Sequence, residues 1–355
     1  MPNINKIGRR EFLKFTAIGL AGAFMTTHFD DVLSADSEPL YIMTVTGKVK
    51  AQMMGFTLPH EHVMVDFIGA DKVDENRYDG DEVYKVALPF LIQAFDMGCR
   101  TLVECTPDYI GRDPLLLKRL SQDSGLKILT NTGLYGAADD KFIPAFAFKA
   151  TTQHLADMWT AEWERGIGDT GIKPGFIKIG MDPVPSEMDM RLIEAAGLTH
   201  LRAGLSIASH TVTGIAAKLQ VEKLISMGVH PSAFIWVHAH AEPDTSFHKW
   251  AAGQGAWVEY DGLSPQSIDQ HVKLVRIMQK EGLLHKVMLS HDAGWYNVGE
   301  PGGGTFRPFD TLFIELIPMV QKLGVTESDI IQMTRTNPQR AFAVRIRKIQ
   351  QKERI

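Results

Sequence analysis

One pattern constrains the fold of this chain more than any other: short β-rich runs alternate with amphipathic stretches along most of its length. Eight such runs, each closing on small or polar residues, are Phe56–His62, Thr101–Thr106, Lys127–Thr132, Gly175–Gly180, Ser206–His210, Phe234–His238, Ala256–Asp261 and Lys286–Asp292. Their ends are spaced by roughly 30 residues, the length a strand–helix unit requires, with two longer gaps that fall in loops. Between them, Asp113–Gln122, Thr152–Arg165, Leu192–Ala203, Ala216–Met227 and Ser267–Gln279 carry apolar residues three and four apart, the spacing of one helix face. Eight alternating units predict an α/β fold, a closed parallel (β/α)8 (TIM) barrel rather than an open doubly wound sheet. No Gly-x-Gly-x-x-Gly follows the first run, which speaks against dinucleotide binding. Gly302-Gly303-Gly304 lacks the Lys-Ser/Thr of a phosphate-cradling loop and reads as a flexible lid. Tyr41–Met54 reads as a hairpin turning at Thr46-Gly47 beneath the barrel, and Glu315–Phe342 as two helices, the last starting at Asn337-Pro338.

Composition narrows the class further. A hydrophobic fraction of 45% and a charged fraction of 22% over 355 residues exclude wholesale disorder. With 37 Lys+Arg against 42 Asp+Glu the formal net charge is −5, and no basic stripe runs along the chain, so nucleic acid is not the expected partner. Cys99 and Cys105 would lie about 20 Å apart on an extended segment, too far to bridge, so a buried core must stabilise the chain. Arg9-Arg10, Phe12-Leu13-Lys14, the apolar stretch Phe15–Met25 and the small residues near Leu33-Ser34-Ala35 resemble a twin-arginine export signal. On this reading residues 1–35 are the signal, 36–355 are a single barrel domain, and the mature protein is periplasmic. The apolar stretch falls short of the ~20 residues that span a bilayer, so no stable membrane association is expected after cleavage. An uncleaved amphipathic anchor is the alternative.

Chemistry in a barrel gathers at the C-terminal ends of the strands. There the chain carries His60 and His62, Lys178, His210, His238 and Asp292, each at the end of its own run. Side chains alternate along a strand, so His60 and His62 share a face while Glu61 points away, and two imidazoles so placed can share one metal ion. His291, next to Asp292, is expected on the opposite face. A lysine facing an apolar interior is costly unless paired, with Asp182 the nearest acid in sequence, or modified. Carbamylation by CO2 would turn the Lys178 amine into an anionic ligand able to bridge two metals.

The set Phe56-Thr-Leu-Pro-His-Glu-His62, Gly175-Phe-Ile-Lys-Ile-Gly180, Ser209-His-Thr211, Val237-His238 and Leu289-Ser-His-Asp292 resembles the phosphotriesterase family of the amidohydrolase superfamily. Gly111-Arg-Asp-Pro114, Asn131-Thr-Gly-Leu-Tyr135 and Thr336-Asn-Pro338 support the likeness, which runs from about Tyr41 to Phe342. The resemblance implies two divalent metal ions, usually zinc. His60, His62 and Asp292 would hold the more buried ion, His210 and His238 the more exposed one, and carbamylated Lys178 with a hydroxide would bridge them. Asp292 would position the hydroxide and accept its proton. Dimers are frequent in the family, and a homodimer is expected by analogy.

The expected substrate is a small-molecule ester. Tyr135 matches the position where the family's lactonases carry Tyr and its phosphotriester hydrolases tend to carry Trp. The seventh run, however, reads Glu259-Tyr-Asp-Gly-Leu263 and lacks the Arg that lactonases place after this Asp. Asp261 could relay a proton outward from Asp292, or cap the next helix. Trp295, Tyr296, Phe306 and Arg307 are candidates for a leaving-group pocket, and His240 for a shuttle, a rim contact or a hydrogen-bonded loop histidine. Two functions follow: a binuclear hydrolase of a lactone, carboxylic ester or phosphotriester, or a non-catalytic metal-binding barrel with a regulatory role. A mononuclear deaminase is disfavoured by Lys178.

Overall fold

The computed structural model describes residues 39–349. The expected export signal lies outside them; among the described residues no helix is long and apolar enough to cross a membrane. Tyr41–Thr44 (β1) and Gly47–Lys50 (β2) form the expected antiparallel hairpin, with Gly47 at φ +116° completing the turn. Val45 N then donates to Ile128 O (2.9 Å), fixing the hairpin beneath the barrel.

The eight expected strands follow in order. They are Thr57–Val65 (β3), Thr101–Glu104 (β4), Lys127–Leu129 with Asn131–Thr132 (β5 and β6, one run broken at Thr130), Phe176–Gly180 (β7), Ile207–His210 (β8), Phe234–Val237 (β9), Trp257–Tyr260 (β10) and Val287–Leu289 (β11). All neighbouring barrel strands pair in parallel, in the order β3-β4-β5 and β6-β7-β8-β9-β10-β11. Gly175 N donates to Thr130 O (2.7 Å) where the two sheets share their third run. At the opposite seam Asp292 N donates to His60 O (3.0 Å) and His62 N to Ala293 O (2.9 Å). The fold is the (β/α)8 barrel, and all strand C-termini meet at one mouth.

Alternation along each strand divides the core. Val103, Leu129, Phe176, Ala208, Ile235, Trp257 and Met288 pack inside the barrel on Ile42 and Phe342, whereas Leu102, Ile128, Ile177, Ile207, Val258 and Val287 join the cluster outside. The inward parity carries on to Lys178, His210, Glu259, Asp261 and Asp292, the physical reason these polar residues share one chamber. In β3 a register shift between Leu58 and Glu61 lets Leu58 join the outer cluster while His60 and His62 face inward.

Helix Thr152–Arg165 has its expected bounds, and Glu187–Ala203 begins a turn early because Ser186 and Asp189 form a capping box. Helices Gly80–Asp96 and Thr245–Gln254 were not expected; Pro89 lies inside the first and the second is short and polar. The C-terminal run forms two helical stretches, and Asn337-Pro338 opens the last α-helix, Asn337–Phe342, which continues directly from the π-helical turn before it. Each stretch contains a π-helical turn, Leu312–Leu316 and Gln332–Thr336, shortly before Pro318 and Pro338, which lack an N–H for the α ladder. Gly294–Asn297 (β12), absent from the sequence reading, pairs with the end of β3. Within the glycine segment Pro301–Gly303 forms a 3-10 turn capped by Gly304, and a Cβ on Gly303 would lie 2.2 Å from the Tyr296 ring. Cys99 and Cys105 are free and buried.

Past Phe342 the chain crosses the barrel floor as a strap: Val344 N donates to Tyr41 O (2.9 Å), Arg345 N to Gly204 O (3.0 Å) and Ile349 N to Gly228 O (3.0 Å).

Candidate metal centre

Tautomers follow from what each imidazole touches. His60 Nδ1 lies 2.8 Å from Asp261 Oδ2, an acceptor, so its proton sits on Nδ1 and its Nε2 lone pair faces the chamber. His62 Nδ1 lies 2.8 Å from Thr106 Oγ1, whose hydroxyl donates to Glu104 Oε1 (2.5 Å), so His62 too presents a bare Nε2. The two Nε2 atoms are 3.2 Å apart, and Asp292 Oδ1 lies 3.2 Å from His62 Nε2. That carboxylate oxygen is buried and makes no hydrogen bond. Three lone-pair donors thus converge without a proton among them, and His60, His62 and Asp292 could together hold a cation.

Lys178 Nζ stands 3.4 Å from His60 Nε2, and among the described residues no carboxylate lies within salt-bridge distance of it. Asp182, its expected partner in the unmodified reading, instead accepts from Ala138 N (2.9 Å) and Asp139 N (3.0 Å). The His210 and His238 rings meet edge to face at a centroid separation of 4.3 Å, and His238 lies 5.0 Å from the His60 ring. All six expected ligand residues therefore line one chamber. Burial lowers the pKa of His60 to about 3 and, with His238 and Lys178 nearby, that of His210 well below its usual value. Burial opposes ionisation of Asp292, yet His60 and His62 hold its carboxyl well below the ordinary range.

Asp261 neither faces the mouth nor caps a helix; Ser267 occupies the N-cap of the next helix. It is fully buried under the histidines and bonds His60 Nδ1, His238 Nδ1 (2.6 Å) and His238 N (3.1 Å), with His240 Nδ1 at 3.0 Å. Burial alone would raise its pKa, but His238 and His60 hold it far down. Glu259, two residues earlier, lies 3.3 Å from His60 Nδ1 with neither oxygen hydrogen-bonded, and burial followed by Asp261 pushes its pKa well up.

Sequence reasoning missed the supports on the other face. Glu61 accepts from Ser290 Oγ (2.7 Å), His291 N (3.0 Å), His291 Nδ1 (2.8 Å) and Ala293 N (2.8 Å), locking the segment that carries Asp292 onto β3. His291 points away from the chamber, as its parity requires, and its Nε2 accepts from Leu312 N (3.0 Å). Glu61 was legible only as the odd-parity member of its motif, and Thr106 carried no charge to mark it.

At the mouth, Tyr135 lies 5.1 Å from the His210 ring and Trp295 5.1 Å from the His62 ring, with Phe142 and Phe67 beside them. Arg307 is held over Trp295 and donates to Asp292 O. Tyr296 and Phe306 are buried in packing, Phe306 against Phe90 at 4.7 Å, and take no part in the mouth. Asp292, His238 and Trp295 adopt φ of +54°, +65° and +75°, strain that only a heavily constrained mouth retains.

Residues 41–342 match the phosphotriesterase family. The chain is 27% identical to the phosphotriesterase homology protein of Escherichia coli, over 81% of this chain and 98% of that one. It is 23% identical to the phospho-furanose lactonase of Mycoplasmopsis synoviae, over 86% of this chain and 92% of that one. The solved organophosphorus hydrolase of Deinococcus radiodurans superposes with a TM-score of 0.77 at 27% identity, covering 86% of this chain and 97% of its own. Motif, barrel and match over nearly all the described residues agree: this chain belongs to the phosphotriesterase family.

Proposed function

We propose that the protein is a metal-dependent hydrolase of small-molecule esters, a lactone or carboxylic ester before a phosphotriester, working with two divalent ions. The observation that carries this reading is the convergence of proton-free His60 Nε2, His62 Nε2 and the orphaned Asp292 Oδ1. The imidazole-rich donor set suits zinc; His60, His62 and Asp292 would hold one ion, and His210 and His238, with Lys178 carbamylated, would hold the second. Bound there, the metals supply a water acidic enough to react at neutral pH and a Lewis acid for the ester oxygen.

The chain's own residues do the rest. Asp292, ionised and held by Arg307 through its carbonyl, accepts the proton of the attacking water. Tyr135 and Trp295 wall the mouth and set the room for the ester's acyl or ring portion. Tyr135 favours the lactone reading, and the phospho-furanose lactonase among the relatives supports it. In keeping with the twin-arginine motif, we propose that the protein works in the periplasm, and as a homodimer.

A screen of the zinc-loaded protein against lactones, aryl esters, phosphotriesters and phosphorylated sugar lactones tests the reading, with Asp292→Asn as control. Hydrolysis of a lactone or ester that falls at least about 100-fold in the control is expected. Turnover undiminished in Asp292→Asn overturns the mechanism, and metal-loaded protein inert toward every class favours the non-catalytic barrel.

A further inference from the structure

We propose that Asp261 couples the two metal positions, one buried carboxylate orienting an imidazole of each so that both load and empty as a unit. The inference rests on the binuclear reading above. Asp261 Oδ2 accepts from His60 Nδ1 at 2.8 Å, and Oδ1 accepts from His238 Nδ1 at 2.6 Å. His60 belongs with His62 and Asp292, His238 with His210, so a single side chain reaches into both halves. Because a carboxylate only accepts, both rings must carry their proton on Nδ1 and turn a bare Nε2 toward the chamber.

The arrangement is held from several directions. His238 N donates to Asp261 Oδ2 (3.1 Å), which ties the left-handed backbone at His238 to the same carboxylate. His271 Nε2 donates to Asp261 O (2.8 Å), anchoring the main chain from the following helix. His240 brings a third imidazole to within 3.0 Å of Oδ1. The neighbouring ligand His62 is oriented separately, by Thr106. Loss of the Asp261 carboxylate therefore frees one ring in each half, whereas loss of the Thr106 hydroxyl frees a ring in one half alone. Groups that orient metal-binding imidazoles typically contribute about 10–100-fold in affinity.

Two measurements test this. In metal-free wild-type protein labelled with 15N-histidine, long-range 15N–1H spectra should show His60 and His238 both as Nδ1–H tautomers, assigned through His60→Gln and His238→Gln. Chelator-stripped protein titrated with Zn2+ should take up two equivalents. Asp261→Asn should weaken both by about 10–100-fold together, while Thr106→Val weakens one. Should the neutral side chain fail to fold, Asp261→Glu keeps the charge, misplaces the oxygens and predicts the same joint weakening. An Nε2–H tautomer at either ring, or one tight equivalent retained without the Asp261 carboxylate, overturns the coupling while leaving the hydrolase reading intact. Fewer than two equivalents in the wild type overturns both.

Discussion

Lys178 illustrates what a single residue demands of its surroundings. It is almost wholly buried, with His60 beside it and no acid in salt-bridge reach among the described residues. A charge so placed is destabilising unless it is changed into something the chamber can use. Replacing it with Ala should lower zinc content below two equivalents by elemental analysis and cut hydrolysis at least about 100-fold, with the barrel still folded by circular dichroism. Glu61 makes the opposite case: it touches no substrate, yet takes four donors. In Glu61→Gln the amide NH2 would face some of those donors, costing about 2–4 kcal/mol in urea denaturation of the metal-free protein. Parity along strands revealed where His210, Asp292 and even His291 point and that His60 and His62 point together, whereas His238 shares the parity of the outward Trp236 and is turned into the chamber only by its left-handed backbone. Parity could not reveal Asp261 as a hub, because that role arises only when strands 23 and more residues apart in sequence bring His60 and His238 to one carboxylate. Nor could it reveal Glu259, which lies buried beside His60 with neither oxygen hydrogen-bonded, because that placement depends on the neighbours that surround it.

At the scale of elements, all eight barrel strands were legible because β-rich runs and amphipathic stretches have different periods. What escaped were elements whose pattern conflicts with local propensity: helix Gly80–Asp96 with its internal Pro89, and β12, which exists only because β3 extends beyond its expected end to receive it. Gly294 is the point on which β12 depends. Its φ is +90°, and a Cβ there would fall 1.8 Å from His62 O. Gly294→Ala should therefore displace β12 together with the adjoining Asp292. The expected readout is a loss of zinc affinity accompanied by a lower Tm, and unchanged values of both would contradict the geometry.

The whole molecule separates its duties between two ends, stability at the floor and chemistry at the mouth. The strap after Phe342 holds the floor, and His200 joins it by accepting from Arg347 N (2.9 Å) while its Nδ1 donates to Leu205 O (2.8 Å). Burial lowers the His200 pKa to about 4. An unfolded chain would bind that proton near the usual 6.5, so the stabilisation is fully present above pH 6.5 and is lost as pH falls toward 4. Wild type should lose up to about 3 kcal/mol more than His200→Gln across that window, measured as the difference in chemical denaturation at each pH.

One tight contact beside the chamber bears on how such a protein could acquire a new preference. Gly262 has φ +69°, and any Cβ placed on it would come within 2.6 Å of His240 Nε2. The two positions trade space: a bulky residue at 262 is admissible only after 240 has shrunk, and a small one at 240 leaves a void unless 262 grows. Neither step is harmless alone, so a larger residue at 262 calls for a compensating change at 240.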